Sequence, residues 1–235
     1  MIHMNKKQVK KFIQHIEENM KGRVPVPIGK YSFFSVLVPL VEIKGELHVL
    51  YEVRSDNLTK QPGEVCFPGG SMEPGETPEQ CAVRETCEEL GIQPDAIRIL
   101  GQLDTLYAYS NFTMYAFIGI IDGEKLARSI PNEDEVKEIF FVPLQEILEQ
   151  EPYIYTMDVI PDIREDFPYE KVNFDDGYNW RKGRSEIPIY LYSDWVIWGL
   201  TGRITMNMAQ LVGAIKEEME DETKPGTLSD GGNGQ

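Results

Sequence analysis

Four apolar residues near the start of the chain, Val9, Phe12, Ile13 and Ile16, recur at the spacing of one helical face, with lysines and glutamates opposite. A helix is predicted over residues 5–20, ending where "KGRVPVPIGK" introduces two prolines and two glycines. The pattern then changes. "SFFSVLVPL" and "ELHVLYEV" are rich in β-branched and aromatic residues and are separated by "VEIKG", which predicts an antiparallel strand pair. "GEVCFPGG" predicts a short strand running into a glycine turn.

The next helix carries its own boundaries. Thr77 stands at the N-cap, Pro78 at the first helical position, and Gln80 completes a capping box with Thr77. Gly91 occupies the place of a left-handed C′ residue. The helix Pro78–Leu90 is therefore about three turns long. Strands are predicted at "IRILGQL", "FTMYAFIGII" and "VKEIFFVPL", with a short helix from Leu144 to Glu149. "YIYTMDVI" and "IPIYLY" read as strands flanking a polar, aromatic segment. A last helix is expected from Asp194 to about Met219, with Asp194 as its cap and Trp195, Trp198 and Leu200 as its core stripe.

These elements divide the chain into an N-terminal helix and Pro/Gly linker (1–29), one domain (30–220) with an insertion-like segment at 151–190, and a tail (221–235) expected to be disordered. Strands mixed with helices at both ends point to an α/β (α+β) architecture, with an α/β/α sandwich as one form.

Composition narrows the function classes. A chain of 235 residues, 41% hydrophobic and 26% charged, is sized for one large domain or two small ones. Its net charge of −16 argues against a nucleic-acid or anionic-membrane surface, both of which need a basic footprint. A small anionic ligand stays compatible if metal ions neutralise the meeting point. Cys66, Cys81 and Cys87 are odd in number and lack zinc-like spacing, so they read as reduced thiols. No apolar leader opens the chain, and no apolar run reaches the ~18 residues of a membrane span. The expectation is a cytoplasmic protein, monomer or homodimer.

Glu79, Glu85, Glu88 and Glu89 share one short helix in an already acidic chain. Glu85 and Glu89 are four apart and Glu85 and Glu88 three apart, so these three project from neighbouring positions of one face. Like charges one turn apart cost a few tenths of a kcal/mol per pair. Such a helix is either a solvated face or holds a cation. Hard carboxylate oxygens suit Mg²⁺ or Mn²⁺ rather than zinc, and a glycine carbonyl from "FPGGSMEPGE" would add another oxygen. The chemistry implied is phosphoryl or pyrophosphoryl transfer to water.

Gly70, Glu76, and Arg84-Glu85-Thr86-Cys87-Glu88-Glu89-Leu90-Gly91-Ile92 resemble the box of the Nudix hydrolases, which act on nucleoside-diphosphate-linked compounds. The position after Arg-Glu is usually aliphatic in that family, and here it is Thr86. The resemblance implies that Glu85, Glu88 and Glu89, with the Gly69 carbonyl, bind metal, and that Glu76 and Arg84 form a structural ion pair. It also implies the Nudix α/β/α sandwich with a mixed sheet. A general base or extra ligand in this family often comes from a loop outside the box, which makes Glu135, in the triplet Glu133-Asp134-Glu135, a candidate beside the reading of a solvated turn.

"RSDNLTKQPGEVCFPGG" extends the resemblance to the coenzyme A pyrophosphatase branch, with Arg54, Ser55, Gly63, Phe67, Pro68, Gly69 and Gly70 filling its extra motif. Thr59, where a basic residue is common, and "MYAFIG", where a proline-containing strand is common, depart from it. "LDTLYAYSNF", "NEDEVKEIFFVPLQEIL" and "IWGLTGRI" resemble later segments of the branch, so the similarity covers roughly residues 30–215 apart from a stretch near 151–186. It implies hydrolysis of coenzyme A or its thioesters, with substrate contacts from Arg54, Ser55, Gly69 and Gly70. Hydrolysis of another nucleoside diphosphate derivative, such as ADP-ribose or a dinucleotide, is the second reading, and a non-catalytic nucleotide-binding module the third.

By chemistry alone, Arg54 suits a phosphate as well as a surface carboxylate. Tyr107, Tyr109 and Phe112 suit an adenine ring, or a half-buried strand. His3, His15 and His48 are scattered and suggest no metal or catalytic set.

Overall fold

Alternation along one long strand, β1 (Ser32–Ile43), sends Val36, Val38 and Leu40 into one apolar cluster and Leu37 and Val41 into another. A strand buried on both faces needs cover on both, and helices supply it. The computed structural model describes residues 5–223. β2 (Glu46–Arg54) follows β1 antiparallel, with Leu40 opposite Val49, as the paired apolar runs predict.

β3 (Val65–Cys66) pairs with β2, and β4 (Gly69–Ser71) pairs with β1. The remaining strands of this sheet are β5 (Ile97–Gln102), β6 (Leu106–Ala108), β7 (Phe112–Ile121) and β8 (Val136–Pro143). β7 runs parallel to β1, while β5 and β6 pair antiparallel with β7 and β8 with β2. The result is a mixed eight-stranded sheet among the described residues.

Helices close both faces. The helix Pro78–Leu90 packs Ala82 and Leu90 with Leu37, Leu50 and Phe117 on one side. The helices Leu144–Glu149 and Gly199–Thr223 bring Leu144, Ile147, Ile204 and Met208 to Val38, Val49 and Tyr51 on the other. This is the expected α/β/α sandwich. In chain order the helices are α1 (Lys6–Met20), α2 (Pro78–Leu90), α3 (Gly123–Leu126), α4 (Leu144–Glu149) and α5 (Gly199–Thr223). No helix among the described residues is long and apolar enough to cross a membrane.

The chain falls into two units, Met1–Tyr31 and Ser32 onward. Within the first, Asn5 caps α1 through a capping box with Gln8, and Val9, Phe12, Ile13 and Ile16 are exposed. Within the second, β9 (Tyr153–Val159), β10 (Gly183–Tyr192) and β11 (Trp195–Ile197) form a separate three-stranded sheet. Between β9 and β10, Phe167, Tyr169, Tyr178 and Trp180 pack edge-to-face.

The expected start of the last helix is corrected. Asp194 caps no helix: Ser193 takes φ 52° and, with Asp194, turns Tyr192 back onto Trp195 as a hairpin. Trp-Val-Ile then continues as β11, and α5 begins only at Gly199. Trp195 stacks on Phe140 with ring centroids 4.7 Å apart, whereas Trp198 is exposed. Pairing with β10 outweighed the local helix signal, since aromatic and β-branched residues fit a pleated surface. The tail expected to be disordered from residue 221 begins inside a helix, since α5 runs on through Asp221, Glu222 and Thr223; its remainder, from residue 224 onward, and His3 lie outside the described residues.

Candidate active site

The turn between β3 and α2 has a conformation that its glycines permit. Gly69 sits at φ 152°, and a Cβ there would run into the Ser35 carbonyl and the Val36 backbone. At Gly70 a Cβ would overlap the Glu85 carboxylate. The missing side chains let α2 lay its acidic face directly on the turn. Thr77, Gln80 and Pro78 start the helix as the sequence predicts, and Gly91 ends it at φ 66°.

Arg84 organises the first carboxylates. Its Nε donates to Glu76 Oε1 at 2.9 Å and its Nη2 to Glu76 Oε2 at 3.2 Å, a two-pronged pairing. Nη2 also donates to the Ser71 carbonyl, and Nη1 lies 2.9 Å from Glu85 Oε1 and 3.2 Å from Glu88 Oε2. The Arg84 guanidinium, with the Glu73 N–H, holds the Glu76 carboxyl down to about 2. Thr86, where an aliphatic residue was expected by resemblance, is fully buried and donates its hydroxyl to the Ala82 carbonyl at 2.7 Å. That bond lets a polar side chain stand in the core.

Glu89 is the buried member, 5% exposed, and its Oε2 accepts from the Gly69 N–H at 2.8 Å. Burial raises its carboxyl well above the usual range, and the charges of Glu52, Glu85 and Glu135 push the same way. Glu85 is also raised, first by burial, against the pull of Arg84. Glu88 points outward, its side chain 57% exposed. Among the described residues, no three His, Cys, Asp or Glu side chains are gathered tightly enough to hold an ion by themselves.

The loop before β8 docks against this site. Asn132 N–H donates to the Glu89 carbonyl at 2.8 Å, and Ser55 N–H donates to the Glu135 carbonyl at 2.8 Å. Glu135 thus joins the field around Glu52, Glu85 and Glu89. Ser55 is buried and accepts the Asn57 N–H at its Oγ, a turn-forming contact. Arg54, at the end of β2, gives its Nε to the Lys60 carbonyl at 3.4 Å.

Sequence reasoning missed Glu52. It is 1% exposed on β2, its Oε1 accepts from Cys66 Sγ at 3.2 Å, and burial raises its carboxyl. A signal was present: in "HVLYEVR" alternation places Glu52 on the same face as Leu50, where a buried apolar residue belongs.

Tyr107 and Tyr109 are both exposed and line a cavity of about 510 Å³ with Arg184, Arg203 and Met206. Phe112 is not part of it and meets Phe34 edge-on in the packed interior. Tyr107 lies on β6, two strands across from β1, and β1 also carries β4. At the usual strand spacing Tyr107 is therefore roughly 14 Å across the sheet from β4. Two tyrosines and two arginines line the cavity beside Glu186, whereas the turn lies against carboxylates of α2.

The NUDIX domain family matches residues 33–159. Over 122 residues the chain is 43% identical to the peroxisomal coenzyme A diphosphatase NUDT7 of Mus musculus, covering 51% of this chain and 50% of that protein. Over 183 residues it is 32% identical to the mitochondrial coenzyme A diphosphatase NUDT8 of Homo sapiens, covering 76% and 68%. The chain thus spans about half the length of the mouse relative. A MutT/nudix family protein from Enterococcus faecalis overlays with a TM-score of 0.49 at 18% identity, covering 93% of this chain and 77% of that one.

Proposed function

The chain belongs to the NUDIX domain family, and from that premise we propose that it is a divalent-metal-dependent pyrophosphatase acting on coenzyme A or acyl-coenzyme A. The observation that carries the reading is the meeting of the glycine turn with Glu85 and Glu89: bare backbone lies directly against one partly buried and one buried carboxylate. The relatives' names, coenzyme A diphosphatase in mouse and human, support the substrate class.

The donors fit a hard cation. Carboxylates kept out of water with raised proton affinity, and an unpartnered buried oxygen on Glu52, are groups that a divalent ion would satisfy. Glu85, Glu88, Glu89 and the Gly69 carbonyl would hold Mg²⁺ or Mn²⁺, with Glu88 turning away from Arg84. The ion, when bound, supplies charge neutralisation for the diphosphate and lowers the pKa of a coordinated water.

The chain's own residues do the rest. Arg84 holds the acidic face in register with the turn, and Glu76 holds Arg84. Glu135, brought in by its loop, takes the proton from the attacking water. Arg54 meets a phosphate oxygen, and the Gly69–Gly70 backbone leaves room for the phosphate to approach. Water oxygen adds to one phosphorus, the bridging P–O bond breaks, and the leaving phosphate departs with its oxygen. The products are 3′,5′-ADP and 4′-phosphopantetheine, acylated where the substrate was. The aromatic and cationic cavity at Tyr107, Tyr109 and Arg203 takes the adenine nucleotide end. We place the enzyme in the cytoplasm, a reducing compartment that its three free thiols suit.

Chromatography of products from purified protein with Mg²⁺ or Mn²⁺ and coenzyme A, ADP-ribose or a dinucleotide tests the reading. Release of 3′,5′-ADP from coenzyme A at the highest kcat/KM is expected. Faster cleavage of ADP-ribose overturns the substrate, and no cleavage of any of the three overturns the enzyme.

A further inference from the structure

A buried carboxylate oxygen with no partner calls for an explanation, and Glu52 has one: its Oε2 is buried and finds no hydrogen-bond donor or acceptor. Ionisation leaves that oxygen a bare charge in a low-dielectric site. Protonation at Oε2 leaves an O–H with nothing to receive it. Neither state satisfies the group, so neutralisation alone does not account for a glutamate here.

Its position is set by the sheet. Glu52 pairs with Cys66 on β3, immediately before the glycine turn, and with Ile139 on β8. Alternation on β2 puts it with Leu50 on the α2 face. Among ionic neighbours, the Glu52 charge leads those acting on Glu89, followed by Glu85 and Glu135. Arg54, two residues on, is the positive charge felt by Glu52, yet no ion pair joins them among the described residues, and Arg54 Nε turns to the Lys60 carbonyl. Two almost fully buried carboxylates, Glu52 and Glu89, therefore feel one another's charge, and neither forms an ion pair among the described residues.

We propose that Glu52 is a cation ligand of this site, its free Oε2 binding a divalent metal ion together with Glu89. The inference rests on reading the site as a divalent-cation site, and is independent of which diphosphate is hydrolysed. Glu52, on β2, and Glu89, near the end of α2, would hold the ion from the sheet and from the helix. Glu52 thus adds a carboxylate from the sheet to those from the helix, which explains why a charge occupies a core-facing strand position.

The test measures metal binding directly, without substrate. Free Mn²⁺ is followed by electron paramagnetic resonance during titration of the full-length wild type, Glu52→Gln, and Glu42→Gln as an exposed control on β1. The same samples are melted with and without Mn²⁺. Glu52→Gln is expected to weaken Mn²⁺ binding by about tenfold or more and to shrink the Mn²⁺-induced rise in Tm, while the metal-free Tm stays equal or increases. Glu42→Gln should match wild type. An unchanged Mn²⁺ affinity in Glu52→Gln overturns the proposal, whatever its Tm. If Glu52→Gln does not fold, Glu52→Asp, which keeps the charge but withdraws it by one methylene, is read on the same scale: weakened Mn²⁺ binding supports the proposal and unchanged binding overturns it. No Mn²⁺ binding by wild type overturns both this proposal and the metal-dependent function. Weakened binding in the variant with no cleavage of coenzyme A by wild type supports Glu52 as a ligand and removes only the substrate reading.

Discussion

Glu89 Oε2 accepts the Gly69 N–H at 2.8 Å, which ties the last acidic residue of α2 to the glycine turn that precedes the helix. The bond fixes a carboxylate that is buried and near other carboxylates, where an unheld side chain would turn toward water. It also leaves Glu89 Oε1 for a second partner. The helix end, the turn and the loop at Asn132, which bonds the Glu89 carbonyl, are thereby joined at one residue.

Replacing Glu89 by Gln keeps the shape and an amide oxygen for the Gly69 N–H while removing the charge. Turnover is expected to fall by about a hundredfold or more, the scale of losing one major electrostatic contact in a transition state. The circular dichroism spectrum should be unchanged. Activity within a few-fold of wild type at saturating Mg²⁺ would remove Glu89 from the metal site.

The two glycines of the turn are expected to fail differently. An added Cβ at Gly70 meets the far end of the flexible Glu85 side chain, which can swing away. Gly70→Ala should therefore cost activity with little loss of Tm. At Gly69 the obstacle is the Ser35 carbonyl and Val36 backbone, and the φ of 152° disfavours any side chain. Gly69→Ala should destabilise the fold by about 1–3 kcal/mol. Parallel melting curves and kcat/KM values for the two variants check the contrast; equal Tm losses would contradict it.

The Glu76–Arg84 pair gives an acid-sensitive stability. The folded carboxyl is depressed from 4.5 to about 2, so its contribution is full above about 4.5 and is lost as pH falls through about 2. The Tm deficit of Glu76→Gln relative to wild type should be constant near neutrality and shrink as pH is lowered across that window. Arg84→Ala should lower Tm further, because it strands Glu85 and Glu88 as well as Glu76. A deficit in Glu76→Gln that is independent of pH would show that the pairing does not stabilise the fold.

Substrate choice is tested at Arg54. Coenzyme A carries a 3′-phosphate that a chain of net charge −16 must meet with local cations. Arg54→Ala is expected to lower kcat/KM for coenzyme A by about tenfold, the scale of one charge-assisted contact. Dephospho-coenzyme A should be the poorer substrate of the wild type. Equal kcat/KM for the two substrates would mean that nothing in the site reads the 3′-phosphate.

Much of this architecture is legible in the sequence because its signals are local. Thr77, Pro78, Gln80 and Gly91 bound α2 through contacts within a few residues of each other. Runs of β-branched and aromatic residues mark β1, β2, β7 and β8, and helical spacing carries Glu85, Glu88 and Glu89 to one side of α2. The proposed site inherits that legibility: turn and helix are adjacent in the chain, so their residues meet whatever the rest of the fold does.

Tertiary structure decided what depends on distant partners. The parallel pairing of β1 with β7 joins Ser35 to Tyr115, across a stretch that contains the whole of α2. Trp195 became a strand residue because β10 offered a ladder and Phe140 a ring to stack on. Glu135 reached the acidic group through a backbone bond from Ser55 and a loop anchored on Glu89. Glu52 is the sharpest case. Alternation placed it toward the core, but only the packed sheet showed that its neighbours there are Cys66, Glu89 and Glu135, and that one of its oxygens was left for something else. Local propensity acts over a few residues, whereas the burial and company of a side chain are set by strands and loops that arrive from far along the chain.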